Sequence, residues 1–302
     1  MGTSTSEKQE LDAQNIRVWE DESPQHTVYL SEYLIGKVPI TNSNYRSFVN
    51  EEGYRNRIFW SEAGWNWLRY DLGDNIDISF LKEEERLMWI EQREKWGNYL
   101  ANRPLTKKNQ PYWWGDSKFD GENCPVVGIT WFEAEAYCNW LSYKLHDSRT
   151  ILSSQCVRLP TEAEWENAAR ICSDNGSLWP WGNTWDSDKC NSIESGIGRT
   201  TPVGSYGEGA CGLGCLDLIG NVWEWCLDWW DENIYSCGGE ISNPQGPISG
   251  LAKVKRGGSW ASNSSNARST CRDRDTPIGF FSYVGFRVVI VKEDILISRS
   301  SM

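Results

Sequence analysis

Residues 26–40 (HTVYLSEYLIGKVPI) alternate apolar and polar side chains, the two-residue period of one or two half-buried strands. The period then changes. Thr41 is a good cap for a helix reaching about Asn50, in which Tyr45, Phe48 and Val49 share a face. Residues 53–123 are rich in tryptophan and charge, with one helical stretch predicted over Leu81–Asn102; they read as a long insertion. A further helix is predicted over Trp131–Leu145. Another follows Pro160, where Thr161 and Glu164 have the spacing of a capping box. Beyond Cys172 the periodicity fades into turn-rich sequence, and short strands are expected at Lys253–Arg256 and Val284–Val291. Residues 1–24 show no apolar period and are predicted to be disordered or tag-like. The pattern predicts a single α+β domain over 25–295 with much irregular structure.

Composition removes whole classes of function. A formal charge of −12 and a sequence pI near 4.8 oppose binding to phosphate backbones, so nucleic acid is not an expected partner. No run of about 18 apolar residues is present, which argues against direct membrane insertion. The first 20 residues lack the basic start and apolar run of a secretory signal, which makes the cytoplasm the default location. Only His26 and His146 are available, too few for a three-histidine metal centre. The ten cysteines include no C-x-x-C pair, and whether they are reduced or disulfide-bonded is left open by the sequence. Trp60, Trp65, Trp67, Trp89, Trp96, Trp113 and Trp114 of the insertion are expected to be packing anchors. The other reading makes the insertion itself a contact surface. Nothing resembles a coiled-coil seam, so a monomer is expected.

In order along the chain stand KVPITNSNYRSFV, PVVGITWFEAEAYCNWLS, RLPTEAEWENAAR, WPWGN, TPVGSYG, LIGNVWEWCLDWW and KRGGSW with VGFRVV. Together they resemble the formylglycine-generating-enzyme, or sulfatase-modifying-factor, family. The resemblance implies a C-type-lectin-like α+β fold. It also implies, for oxidase members, two copper-binding cysteines five residues apart just after the GGS motif. At the matching positions this chain has Ser262 and Ala267, neither of which can act as a thiolate. Cys271 is farther along and alone. Two distant histidines likewise cannot supply the facial iron site of the family's sulfoxide synthases. No enzyme activity and no catalytic cofactor are therefore expected; the alternative is a formylglycine-generating-enzyme-like oxidase or accessory factor with altered chemistry.

Residues 256–288 resemble instead the variable region of target proteins diversified by retroelements, in which adenines of a template are miscopied. Varying the adenines of Asn codons never yields Lys, Glu, Gln, Met or Trp. Those five types make up 66 of the 302 residues, so Ala261–Arg287 would ordinarily hold about six of them, and it holds none. The candidate variable, ligand-contacting positions are Ala261, Ser262, Asn263, Ser265, Asn266, Cys271, Asp273, Asp275, Thr276, Gly279, Phe281, Ser282 and Tyr283. Phe281 and Tyr283 are expected as an exposed aromatic pair among adaptable polar residues, the composition of a paratope for a protein or other macromolecular ligand. Arg256, Gly257, Gly258, Trp260, Gly285, Phe286, Arg287 and Val288 would form the constant frame, and Arg268, Arg272 and Arg274 are expected to pair with carboxylates beneath it, the other reading being direct contact with the ligand. The bland alternative is an ordinary polar loop in a degenerate enzyme homologue.

The resemblance also implies structural calcium. One site maps to the Asp217 and Glu224 carboxylates with the carbonyls of Gly220 and Val222. A second maps to Asn191, Ser192, Ser195 and Ile197, with Ser195 in the place of an acidic ligand and Glu194 as a neighbouring substitute.

Overall fold

Four helices begin with the same device. Ser4, Thr41 and Thr130 each accept a hydrogen bond from the backbone N–H three residues on, while that residue's side chain bonds back to the cap. The elements so started are α1 (Thr5–Ala13), α2 (Asn42–Asn50) and the long α4 (Trp131–Asp147), with α3 (Glu62–Leu68) between the last two. Helix α5 (Glu162–Arg170) begins at the expected box: Glu164 N–H donates to Thr161 Oγ1 at 3.2 Å and Thr161 N–H to Glu164 Oε2 at 2.8 Å. The computed structural model describes residues 1–69, 108–170, 177–235 and 240–293, with residues 83, 86, 87, 90, 91, 94, 97 and 98 of the intervening stretch; these last are helical, as expected within Leu81–Asn102.

The strands are short. β1 (Thr27–Tyr29) pairs in parallel with β5 (Glu240–Ser242). β9 (Val289–Lys292) lies between β2 (Leu34–Ile35) and β3 (Gln155–Arg158), antiparallel to both. The four-stranded sheet has the order β7 (Arg272–Asp275), β6 (Lys253–Arg256), β4 (Trp223–Trp229), β8 (Val284–Gly285). The strand expected at Lys253–Arg256 is present; that expected at Val284–Val291 is split between two sheets. Phe286 interrupts it by giving its carbonyl to Ile40 N–H at 2.8 Å, and Arg287 by turning its side chain inward to Glu224. The chain thus crosses from one sheet to the other.

Tyr45, Phe48, Tyr137, Trp140 and Phe286 pack as one aromatic cluster between α2, α4 and the sheets. Trp60 and Trp67 are buried in it, as packing anchors should be, and Trp65, Trp113 and Trp114 are half-buried; Trp89 and Trp96 fall outside the described residues. Among the described residues no helix is long and apolar enough to cross a membrane.

The expectation for residues 1–24 is corrected. Leu11 and Ile16 lie buried against Trp165 and Trp179 in a second core, and the N-terminal segment is tied down by charge: Gly2 N–H donates to Glu166 at 2.7 Å and Glu7 pairs with Arg170. Its polarity misled because carboxylates, rather than apolar side chains, make most of its attachments.

Candidate functional site

The surface between Ala261 and Tyr283 rests on buried ion pairs. Glu162 and Glu166 are four residues apart on α5 and so share one face, turned to the four-stranded sheet. There Arg256 of β6 donates to Glu166 Oε2 at 2.6 Å, with Glu162 Oε1 at 3.5 Å; Arg272 of β7 grips both Glu162 oxygens, at 2.7 and 3.0 Å. Tyr235 Oη adds a donor to Glu162 at 2.9 Å, and Arg272 lies over the Trp230 and Tyr235 rings. Arg268 makes a bidentate pair with Glu22, at 2.6 and 2.7 Å. Burial raises the carboxyl pKa values of Glu162 and Glu22, but the facing guanidiniums outweigh it and hold both below their ordinary value. Arg268 and Arg272 therefore have the expected role. Arg274 does not: strand alternation sends it to the same face as Arg272, but it is exposed and stacks on Trp230.

Two glycines let the frame close on this base. Gly257 (φ +98°) and Gly258 (φ +75°) are left-handed, and a Cβ would meet the Leu218 carbonyl at 2.5 Å in the first case and Ala267 Cα at 2.8 Å in the second. No side chain fits between.

Above the base the candidate positions separate. Ala261 and Asn263 are exposed, and Ser265 and Asn266 half-exposed, near the exposed Ile193: Ile193 N–H donates to the Ser262 carbonyl at 3.0 Å, and Ser264 N–H to Glu194 at 3.1 Å. Asp273, Asp275, Phe281, Ser282 and Tyr283 form a second patch. The remaining four, Ser262, Cys271, Thr276 and Gly279, are buried and offer no contact surface. Ser262 Oγ is held by Ser259 N–H at 3.0 Å, Cys271 packs in the aromatic core, and a Gly279 Cβ would strike the Phe281 ring.

Phe281 and Tyr283 also differ from expectation. They stack with centroids 5.3 Å apart and pack half-buried over Lys255, whose ammonium is 5.5 and 5.7 Å from their rings. Lys255 in turn is clasped by Asp273 and Asp275, each at 3.2 Å.

The residues at the oxidase cysteine positions offer no thiol chemistry. Ser262 is tied into the turn just described, and Ala267 is fully buried, with its carbonyl accepting from Trp179 Nε1 at 2.7 Å. Cys271 is buried, and burial pushes its thiol pKa well up.

The calcium sets do not fit either. Glu224 accepts from Arg287 at 2.6 and 2.8 Å and from Trp165 Nε1 at 2.8 Å, so its charge is already neutralised by a guanidinium. Asp217 accepts from Gly204 N–H at 2.6 Å, and the Gly220 carbonyl from Val222 N–H at 2.7 Å. In the second set Asn191 directs its amide nitrogen to the Arg199 carbonyl, Ser195 Oγ donates to Asn191 and Ser192, and Glu194 is turned to Ser264. A hard cation needs several free oxygens. Removing calcium with a chelator is accordingly expected to leave the melting temperature within about 1 °C, as differential scanning calorimetry with and without added calcium would show.

One acid beside the network works in the opposite sense to Glu162. Asp228 of β4 accepts from Glu162 N–H at 2.8 Å at the start of α5, and burial together with the Glu162 charge pushes its pKa up to about 7. Its folded value exceeds its unfolded one, so its contribution is present in full below about pH 4 and is lost as pH rises through 7. Asp228→Asn should keep the acceptor and gain on the parent between pH 5 and pH 8 by roughly 2–4 kcal/mol, measured by urea unfolding at the two values.

Sequence comparison decides the family. The sulfatase-modifying factor enzyme 1-like domain matches residues 2–292. The chain belongs to that family. Within it, the chain is 30% identical over 276 residues to hercynine oxygenase of Mycolicibacterium thermoresistibile, covering 89% of this chain and 53% of that protein, about half its length. It is also 30% identical over 285 residues to the formylglycine-generating enzyme of Thermomonospora curvata, covering 88% and 84%. Among solved structures, variable protein 1 of Treponema denticola aligns over 90% of this chain and 88% of its own with a TM-score of 0.58 at 24% identity. The fold is thus the C-type-lectin-like α+β fold shared by this family and that variable protein.

The motifs made the family legible, and the TEAEWENAA spacing could have pointed to Glu162 and Glu166 as partners on one face. Glu22 and the Lys255 clasp carried no such signal.

Proposed function

We propose that this member of the sulfatase-modifying factor enzyme 1-like family is a non-catalytic, receptor-like binding protein whose C-terminal surface is diversified in sequence, as in retroelement target proteins, and recognises a protein or other macromolecule. The observation that carries the reading is the separation of scaffold from surface. Arg256 holds the segment by donating to the carbonyls of Ser269, Thr270 and Cys271, bonds that do not depend on which side chains stand there. Nine of the thirteen candidate positions are exposed or half-exposed, and the whole segment lacks five residue types. The contact set is then Ala261, Asn263, Ser265, Asn266, Asp273, Asp275, Phe281, Ser282 and Tyr283.

Sequencing the DNA downstream of the gene tests this. A near-copy of the segment for residues 256–288, differing where the copy has adenine and lying beside a reverse transcriptase gene, is expected; an intact locus without one would overturn diversification. At the protein level, Asn263→Ala should cost no more than about 1 kcal/mol of unfolding free energy, because its side chain is exposed and only accepts a 3.3 Å bond from Asn266 N–H, while weakening capture of a ligand selected on this chain.

The second reading, an oxidase or accessory factor with altered chemistry, is favoured by the likeness to the Thermomonospora curvata enzyme, of which the chain covers 84%. It requires oxygen consumption with a cysteine-containing peptide in the presence of copper or iron. The side chains at positions 262 and 267 argue for none.

A further inference from the structure

Cys211 and Cys215 close a tight hairpin, Cys-Gly-Leu-Gly-Cys. Cys211 N–H donates to the Cys215 carbonyl at 2.9 Å and Gly214 N–H to the Cys211 carbonyl at 2.7 Å, with Gly214 left-handed at φ +80°. Residues opposed across an antiparallel pair have Cα atoms about 4.5–5.5 Å apart, within the span of a disulfide. The two thiols are themselves in hydrogen-bond contact, as free thiols. Both are buried, yet the tip between them is at the surface, where Leu213 is 62% exposed. Cys211 and Cys215 line the second core together with Cys226, which has no such surface turn beside it, while Cys138 and Cys271 lie in the first core.

We propose that Cys211 and Cys215 form a reversible disulfide that staples the foot of the segment leading into β4. The hydrogen bond with Cys211 and burial push the Cys215 thiol pKa up, so the first deprotonation is the slow step; the thiolate then attacks a low-molecular-weight disulfide, releasing one thiol and leaving a mixed disulfide on the protein. The second thiolate then attacks the protein sulfur of that bond and expels the other half. The protein loses two electrons and two protons, and the oxidant leaves as two thiols.

The position gives the bond a structural consequence. Leu216, next in the chain, donates its N–H to the Lys37 carbonyl at 2.8 Å and accepts from Arg287 at 2.9 Å, and Asp217 ties to Gly204. Fixing the hairpin therefore fixes the strap that helps hold Arg287 on Glu224. This inference is independent of the binding function proposed above.

The test exposes the folded full chain to oxidised glutathione, then blocks remaining thiols by alkylation and maps the peptides by mass. The expected product is an intrachain Cys211–Cys215 bond, reversed by reductant, with the melting temperature raised by a few degrees. In Cys211→Ser the remaining thiol should instead carry glutathione, without that rise. If both cysteines are alkylated after oxidation, pair elsewhere, or join with no change in melting, the staple is overturned. The mapping of the parent chain decides the bond even where the variant does not fold.

Discussion

Glu22→Ala is expected to destabilise the fold by about 3–5 kcal/mol, enough to leave a protein of ordinary stability close to unfolding at room temperature. The pair it breaks is fully withdrawn from water: Glu22 and Arg268 side chains are both 0% exposed. Removing the carboxylate leaves a guanidinium with no counter-charge, and it also takes an acceptor from Thr270 Oγ1. Much of the loss comes from the orphaned arginine, so Glu22→Ala combined with Arg268→Met should recover part of it. Urea unfolding of the two single variants and the double variant measures the coupling. A loss under 1 kcal/mol for Glu22→Ala would mean that the N-terminal segment is dispensable to the fold.

Arg256→Lys, a change that preserves charge, is expected to cost about 3 kcal/mol or more. The guanidinium fork reaches Glu166 and three successive carbonyls, while a lysine offers one nitrogen that cannot span them. Carbonyls of Ser269, Thr270 and Cys271 would be left buried without a strong donor. The segment that follows Arg268 should then loosen, which amide hydrogen exchange across 261–283 would register as lost protection. Parent-like exchange in the variant would show that the carbonyl bonds do not hold the segment.

Helices were legible wherever an apolar stripe and a capping box coincided, as at Thr41, Thr130 and Thr161. The N-terminal helix has the same box at Ser4 but only Leu11 as an apolar anchor, and its segment is otherwise held by the Glu7–Arg170 pair and by Gly2 N–H on Glu166, partners more than 160 residues away. Periodicity carries no trace of such long-range pairing. The site was legible in outline for a related reason. Motif order located the segment, while the burial of Cys271 and Thr276 depends on how β7 sits against β6, a matter of sheet register. Glu224 shows the limit of motif transfer: a residue suited to a cation is satisfied here by the Arg287 side chain.

Lys255 also governs how substitutions on the outer patch combine. Its buried ammonium has two counter-ions, Asp273 directly across the strand pair and Asp275 two residues on. Either aspartate can be replaced while the other still neutralises it; losing both strands a positive charge beneath the aromatic stack. Effects at 273 and 275 are therefore epistatic, each mild alone and severe together. A library randomised at both positions should retain double variants in which one carboxylate survives, so the usable repertoire of this surface is smaller than the product of what each position tolerates singly.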